Sequence, residues 1–297
     1  MKKIADPGMF VGNSMSAGNL LVYSRLNELF HEWKGGHSEV GIKYVISGTE
    51  KYVLNKKTYH VSDGCFLLVN KGQDHEVSLP YSAQPVHGLC MSLTGDVLND
   101  VLSNSNCAEE WMLDNPEGKD GLQFDFFEGI YRPDDVLTQY IASLGKILNK
   151  ETGEVPLDSG QLFYGLAQHL LASQSLVHKK VWQINANRYS TRKELYRRTN
   201  TAKQIIDERF SQHIEMADLA GAVAMSEFHF FRTFRQVYGI SPHQYQIKCR
   251  LENAKKMLLE NKLTITETAF ICGFADVQSF SKSFKKAFGI SPAGFRK

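Results

Sequence analysis

The chain has 297 residues and a mass of 33.6 kDa, with 42% hydrophobic and 22% charged residues. That is enough apolar material for the cores of one large or two ordinary domains, and it excludes a wholly disordered chain. Its longest apolar runs, such as Cys65–Val69, fall far short of the ~18 residues needed to cross a bilayer, so no membrane partner is expected. The cysteines at 65, 90, 107, 249 and 272 are odd in number and contain no C-x-x-C pair. This usage fits a reducing, cytoplasmic setting and argues against a disulfide scaffold or a zinc module. The net charge of +2 hides a division. Residues 179–297 carry 21 Lys and Arg against 10 Asp and Glu, a net +11, while residues 1–178 carry a net −9. A basic block of this length suits a polyanion, nucleic acid first; the acidic half would repel one and is expected to serve another purpose.

From Ile42 to Leu93 the chain alternates and turns often. Ile42, Tyr44 and Ile46 share one strand face and Val45 opposes them. Lys51–Leu54, Thr58–Val61, Cys65–Val69 and Val86–Leu93 read as further strands, separated by turns at Ser47-Gly48, Asn55-Lys56, Asp63-Gly64 and Lys71-Gly72. Short strands at this spacing predict a sandwich or barrel.

Within that region Gly64-x5-Asn70-x-Gly72-x-x-His75 resembles the second motif of the cupin barrel, with Asn70 where proline is usual. In a metal-binding cupin the first motif supplies two histidines and a glutamate. Counting back from Gly48, those places fall here on Gly35, His37 and Gly41. His37 and His75 alone are too few ligands, so neither a metal nor another cofactor is expected, and no enzymatic activity. The barrel mouth is still expected to hold a small molecule, lined by Trp33, His37, Tyr44, Tyr52 and His75.

Two helices follow. Val136, Leu137, Tyr140, Ile141, Leu144, Ile147 and Leu148 form one apolar stripe; Leu162, Phe163, Leu166, His169, Leu170 and Leu176 form another. They either cap the barrel or pair with a second copy in a homodimer. Residues 179–199 are polar and basic without a clear apolar period, and read as a linker.

The C-terminal region repeats itself. Phe230-x3-Phe234-x4-Gly239-Ile240-Ser241-Pro242 recurs fifty residues later as Phe280-x3-Phe284-x4-Gly289-Ile290-Ser291-Pro292. In each copy the phenylalanines pack one helix face, glycine ends the helix, serine caps the next and proline enters its first turn. A shorter helix precedes each copy, over Ile214–Val223 and behind the Thr264-x-x-Glu267 capping box. Short helix, tight turn and longer basic helix make a helix-turn-helix. One continuous helix from Ser241 to about Glu260 joins the two. Its length of about 28 Å is close to the ~34 Å of one duplex turn, which favours DNA over a membrane surface.

The run Ala269-x3-Gly273-Phe274-x-Asp276-x3-Phe280-Ser281-Lys282-x-Phe284-Lys285-Lys286-x-Phe288-Gly289-x-Ser291-Pro292-x3-Arg296 resembles the signature of the AraC/XylS-type transcription regulators. The resemblance covers residues 200–297 closely and the N-terminal half loosely. It implies an α+β multidomain chain: a cupin-like effector-sensing barrel over 1–130, a helical dimerisation or capping segment over 131–178, the basic linker over 179–199, and a double helix-turn-helix DNA-binding domain over 200–297. It also implies a regulator, commonly an activator, that binds promoter DNA and contacts RNA polymerase. Its small-molecule effector is a sugar in the family's default case. The expected base-reading side chains are Phe228, Phe231 and Arg232 in the first head and Val277, Gln278, Ser281 and Lys282 in the second. Arg235, Arg250, Lys256, Lys285 and Lys286 are expected to neutralise phosphates. Arg232 suits guanine, Gln278 adenine, and the phenylalanines only thymine methyls or sugars. The competing readings are a metal-dependent cupin enzyme with a basic accessory domain, and a protein that binds nucleic acid without sequence preference.

Overall fold

The computed structural model describes residues 10–26, 32–80, 85–104, 125–148 and 155–296; the side chains of residues 10–15 and of Trp33 lie outside this description. The chain forms two compact units, Met1–Lys179 and Lys180–Lys297.

The first unit is a sandwich of two antiparallel sheets. One contains β1 (Phe10–Ser16), β2 (Asn19–Leu26), β9 (Val86–Leu93), β4 (Val40–Ser47), β7 (Phe66–Val69) and β10 (Gly129–Tyr131), in that order. The other runs β3 (Glu32–Gly36), β8 (Asp74–Ser78), β5 (Thr49–Leu54) and β6 (Lys57–Ser62). The predicted alternation in β4 divides two cores. Ile42 and Tyr44, with Ile46 at the edge, join a core that includes helical residues, whereas Val45 joins the core between the sheets with Tyr52, Leu54, Val61, Leu67 and Val77. The expected turns all form: Gly48, Gly64 and Gly72 have φ of 95°, 71° and 79°, and Asn55 and Lys56 both have positive φ. Sequence reading passed over β1, β2, β3, β8 and β10. The charged residues of β8 fall at its outward positions and dilute the apolar run that marks a buried strand.

Among the described residues, three helices cover the first sheet: α1 (Gly95–Asn104), α2 (Val136–Ile147) and α3 (Ser159–Trp182). The stripes of α2 and α3 were predicted; α1 was not. Leu98, Val101 and Leu102 of α1 enter the same core as Leu137, Ile141, Leu162, Phe163 and Leu166. Asn70 has a definite task. Its side chain accepts from Phe126 N–H and donates to Phe126 O, both at 2.9 Å, tying residues 125–128 to the barrel as a strand neighbour would. The proline usual at this place in cupins has no such donor and acceptor pair.

The second unit is helical: α4 (Tyr189–Glu208), α5 (Met216–Ala222), α6 (Glu227–Tyr238), α7 (Pro242–Glu260), α8 (Ile265–Ile271), α9 (Val277–Phe288) and α10 (Pro292–Phe295). The stretch read as a basic linker, 179–199, is largely helical: α3 continues to Trp182 and α4 starts at Tyr189. The buried face of α4 uses Tyr196, Thr199 and Ala202 before reaching Ile206, so it lacks the aliphatic stripe that reveals a helix in sequence. Ala202 and Ile206 share a core with Leu219, Phe230 and Phe234; a second core gathers Leu251, Leu258, Ala269, Phe280 and Phe284. Cys65, Cys90, Cys249 and Cys272 are in no disulfide, and Cys107 lies outside the described residues.

Candidate nucleic-acid interface and barrel interior

The duplication read in the sequence becomes two matched helix-turn-helix units, α5–α6 and α8–α9. Each second helix starts at a side-chain cap. Ser226 Oγ accepts from His229 N–H, and Asp276 Oδ1 accepts from Ser279 N–H. Each ends at a glycine, Gly239 or Gly289, with φ of 76°. The turns match as well. Met225 N–H donates to Ala220 O and Phe274 N–H to Ala269 O, both at 3.0 Å, and the residue before each takes the left-handed conformation: Ala224 (φ 52°) and Gly273 (φ 83°). The second site admits only glycine, since a Cβ on Gly273 would lie 2.1 Å from Ser211 O. The connecting α7 carries the predicted serine cap and first-turn proline. Gln244 adds a full capping box, its Oε1 accepting from Ser241 N–H at 3.0 Å.

The structure sorts the expected base readers. Phe228 is 79% exposed on the first turn of α6, and Arg232 is exposed one turn later. Gln278 and Lys282 occupy the corresponding exposed positions of α9. Phe231 is not brought to this row. It is half-buried against the first head's core, its ring edge-on to Phe230 at 5.9 Å, because it sits only 100° round the helix from Phe230 and is long enough to reach the core's flank. Val277 likewise packs against the second core, and Ser281 is half-buried.

Of the expected phosphate partners, Arg235, Lys256, Lys285 and Lys286 are exposed. Arg250 is a correction. Its guanidinium donates to Phe210 O at 2.7 Å and Gln212 O at 2.9 Å, and stacks 5.9 Å from the Phe274 ring centre. Burial lowers its pKa from the usual arginine value. It joins the end of α4 to α7, helped by Gln246, which donates to the same two carbonyls. Asp207 adds to this joint by accepting from Lys203 and from the Tyr245 hydroxyl, each at 2.8 Å. These contacts fix α7 against α4.

In the barrel, the expected liners His37, Tyr52 and His75 do come together. The two imidazoles stack at 4.8 Å, and Tyr52 lies 5.9 Å from His75. Tyr44 is on the other face of β4, in the core that includes helical residues, as strand alternation requires. The Trp33 side chain lies outside the described residues. Gly41, where a metal cupin places glutamate, leaves room for His37: a Cβ there would lie 2.5 Å from His37 Nε2. Burial, the Lys43 ammonium and His75 hold His37 down at about 2; burial and Lys43 hold His75 at about 3. Both imidazoles are therefore neutral near pH 7. Among the described residues no group of three or more His, Cys, Asp or Glu could hold a metal.

Sequence reasoning missed two interior residues, Lys43 and Glu50. Lys43 Nζ donates to Cys90 Sγ at 2.8 Å, and the Tyr52 hydroxyl donates to Glu50 Oε2 at 2.5 Å. Burial raises the Glu50 carboxyl pKa, against the pull of the Tyr52 hydroxyl and Lys43. The signal was parity. Lys43 alternates with Ile42 and Tyr44, and Glu50 shares a strand face with Tyr52 and Leu54.

The Helix-turn-helix domain model matches residues 219–297, and the AraC-like ligand binding domain model matches residues 20–167. The probable transcriptional regulator LumQ of Photobacterium leiognathi is 31% identical over 96 residues, which are 31% of this chain and 39% of LumQ. The Msm operon regulatory protein of Streptococcus mutans is 23% identical over 259 residues, 86% of this chain and 83% of that protein. The virulence regulon transcriptional activator VirF of Yersinia enterocolitica is 24% identical over 261 residues, 88% of this chain and 90% of that protein. Among the described residues, no helix is long and apolar enough to cross a membrane.

Proposed function

The chain belongs to the AraC family of transcription regulators, and from that premise we propose that it is a sequence-specific DNA-binding activator controlled by a small-molecule effector held in the barrel. The observation that carries this reading is the pair of matched heads. Each presents an exposed i, i+4 pair at the start of its second helix, Phe228 with Arg232 and Gln278 with Lys282. A 19-residue helix, fixed at its base by Arg250 and Asp207, joins them. Helices presented this way enter major grooves by their N-terminal turns. Arg232 reads guanine with two hydrogen bonds, Gln278 reads adenine, and Lys282 takes guanine or a phosphate. Arg235, Lys256, Lys285 and Lys286 supply affinity without sequence information.

The division of labour follows the charge. Residues 1–130 sense the effector, 131–178 dimerise, 179–199 connect, and 200–297 bind promoter DNA. The protein acts in the cytoplasm, as a homodimer, by contact with RNA polymerase, and through binding rather than catalysis. Effector binding shifts the population of chains able to bridge two DNA boxes.

Arg232→Ala and Lys282→Ala test the base reading. On a selected duplex, each should relax preference at one base pair, in a different box, at a cost of about 1–3 kcal/mol. Equal weakening on every sequence would contradict it.

A further inference from the structure

Phe228 is the most exposed large apolar side chain among the described residues, at 79%. It lies two positions before Phe230 in α6, about 200° round the helix, on the side opposite the core that Phe230 and Phe234 enter. Phe231, one position after Phe230, can fold back onto that core; Phe228 cannot. The exposed residues beside it, Glu227, His229 and Arg232, are all polar. A phenylalanine left in water contributes little to folding, and its apolar surface is sealed only by a partner. The duplication supplies a control. The second helix of each head has the same caps and the same length, yet the place of Phe228 is taken in α9 by Gln278, which is also exposed. The fold therefore accepts a polar residue here, and the two heads differ in what they offer DNA.

Base edges in the major groove present donors and acceptors, and one apolar group, the C5-methyl of thymine. A phenyl ring against any other edge would strip those donors and acceptors of water and replace none of their hydrogen bonds. Phe228 and Arg232 are i, i+4 neighbours about 6 Å apart along the helix, and stacked bases are about 3.4 Å apart. Resting on the reading of α6 as a groove-entering helix, we infer that Phe228 is a specificity-determining residue that recognises the 5-methyl group of one thymine, within two base pairs of the guanine read by Arg232. The first head thus distinguishes thymine from uracil at one position, and the second head, with Gln278 in the matched place, does not.

The test measures binding of the intact chain, by fluorescence anisotropy, to a duplex recovered by selection. Each thymine is replaced in turn by deoxyuridine, which removes one methyl group and keeps the base pairing. One replacement, in the box that holds the guanine of Arg232, should weaken binding about fourfold, the worth of one buried methyl group. Phe228→Ala should bind the unmodified duplex several-fold more weakly and lose nothing more when that thymine becomes uracil. Indifference of the parent to every uracil would overturn the inference. So would a uracil penalty that is as large in Phe228→Ala as in the parent, or a Phe228→Ala loss that is equal on every sequence, which would leave the ring on a sugar. In each of these cases a guanine preference that depends on Arg232 would leave the base-reading head standing. A parent that binds all duplexes alike would overturn that reading and the inference with it.

Discussion

Gly273 and Gly289 have nearly the same backbone conformation, at φ of 83° and 76°, but different surroundings. Around Gly289 nothing lies within 4 Å of an added Cβ, whereas at Gly273 the Ser211 carbonyl blocks it at 2.1 Å. Gly289→Ala should therefore lose only the left-handed penalty, about 1 kcal/mol. Gly273→Ala should lose at least twice that, because backbone must also move. Urea unfolding of the two variants measures the difference, and equal losses would mean that Ser211 does not dictate the glycine. Residue types were legible in the sequence where backbone geometry demands one residue, as at these glycines. They were less legible where a side chain has two possible uses. Phe231 and Arg250 carry the right chemistry for DNA, yet one packs on a core and the other serves backbone carbonyls. Nothing in residue type separates those uses; only the neighbours do.

At the scale of elements, the joint between α4 and α7 determines how the first head is held. Arg250→Ala removes two charge-assisted hydrogen bonds to carbonyls, and should destabilise the second unit by about 1 kcal/mol, discounted for its half-exposed setting. It should leave the salt dependence of DNA binding nearly unchanged, whereas Lys285→Ala should make the slope shallower by about one. Binding isotherms over a salt series distinguish the two, and a slope change in Arg250→Ala equal to that of Lys285→Ala would return Arg250 to the phosphate group. The paired heads and α7 were readable because Phe spacing, glycine ends and serine–proline starts recur at fixed intervals. The start of α4 was hidden by a buried face of Tyr196, Thr199 and Ala202, and α1 is too short to show a long period. The inner strands declared themselves by alternation, but several others did not.

For the whole molecule, the charge split is the broadest clue: −9 in residues 1–178 and +11 in residues 179–297. The boundary of the two compact units falls beside that divide, at Lys179–Lys180. A polyanion is drawn to the basic half. The barrel's outline was legible from its turns, but its interior was not, since Lys43 and Glu50 look like ordinary strand charges until alternation is followed inward. Two heads spaced by one helix are proposed to read two DNA boxes. The most direct measurement is selection from random-sequence duplexes by the intact chain at physiological salt, with sequencing of what is retained. The expected result is enrichment of two short boxes about one helical turn apart. Retention without any enriched sequence would contradict it.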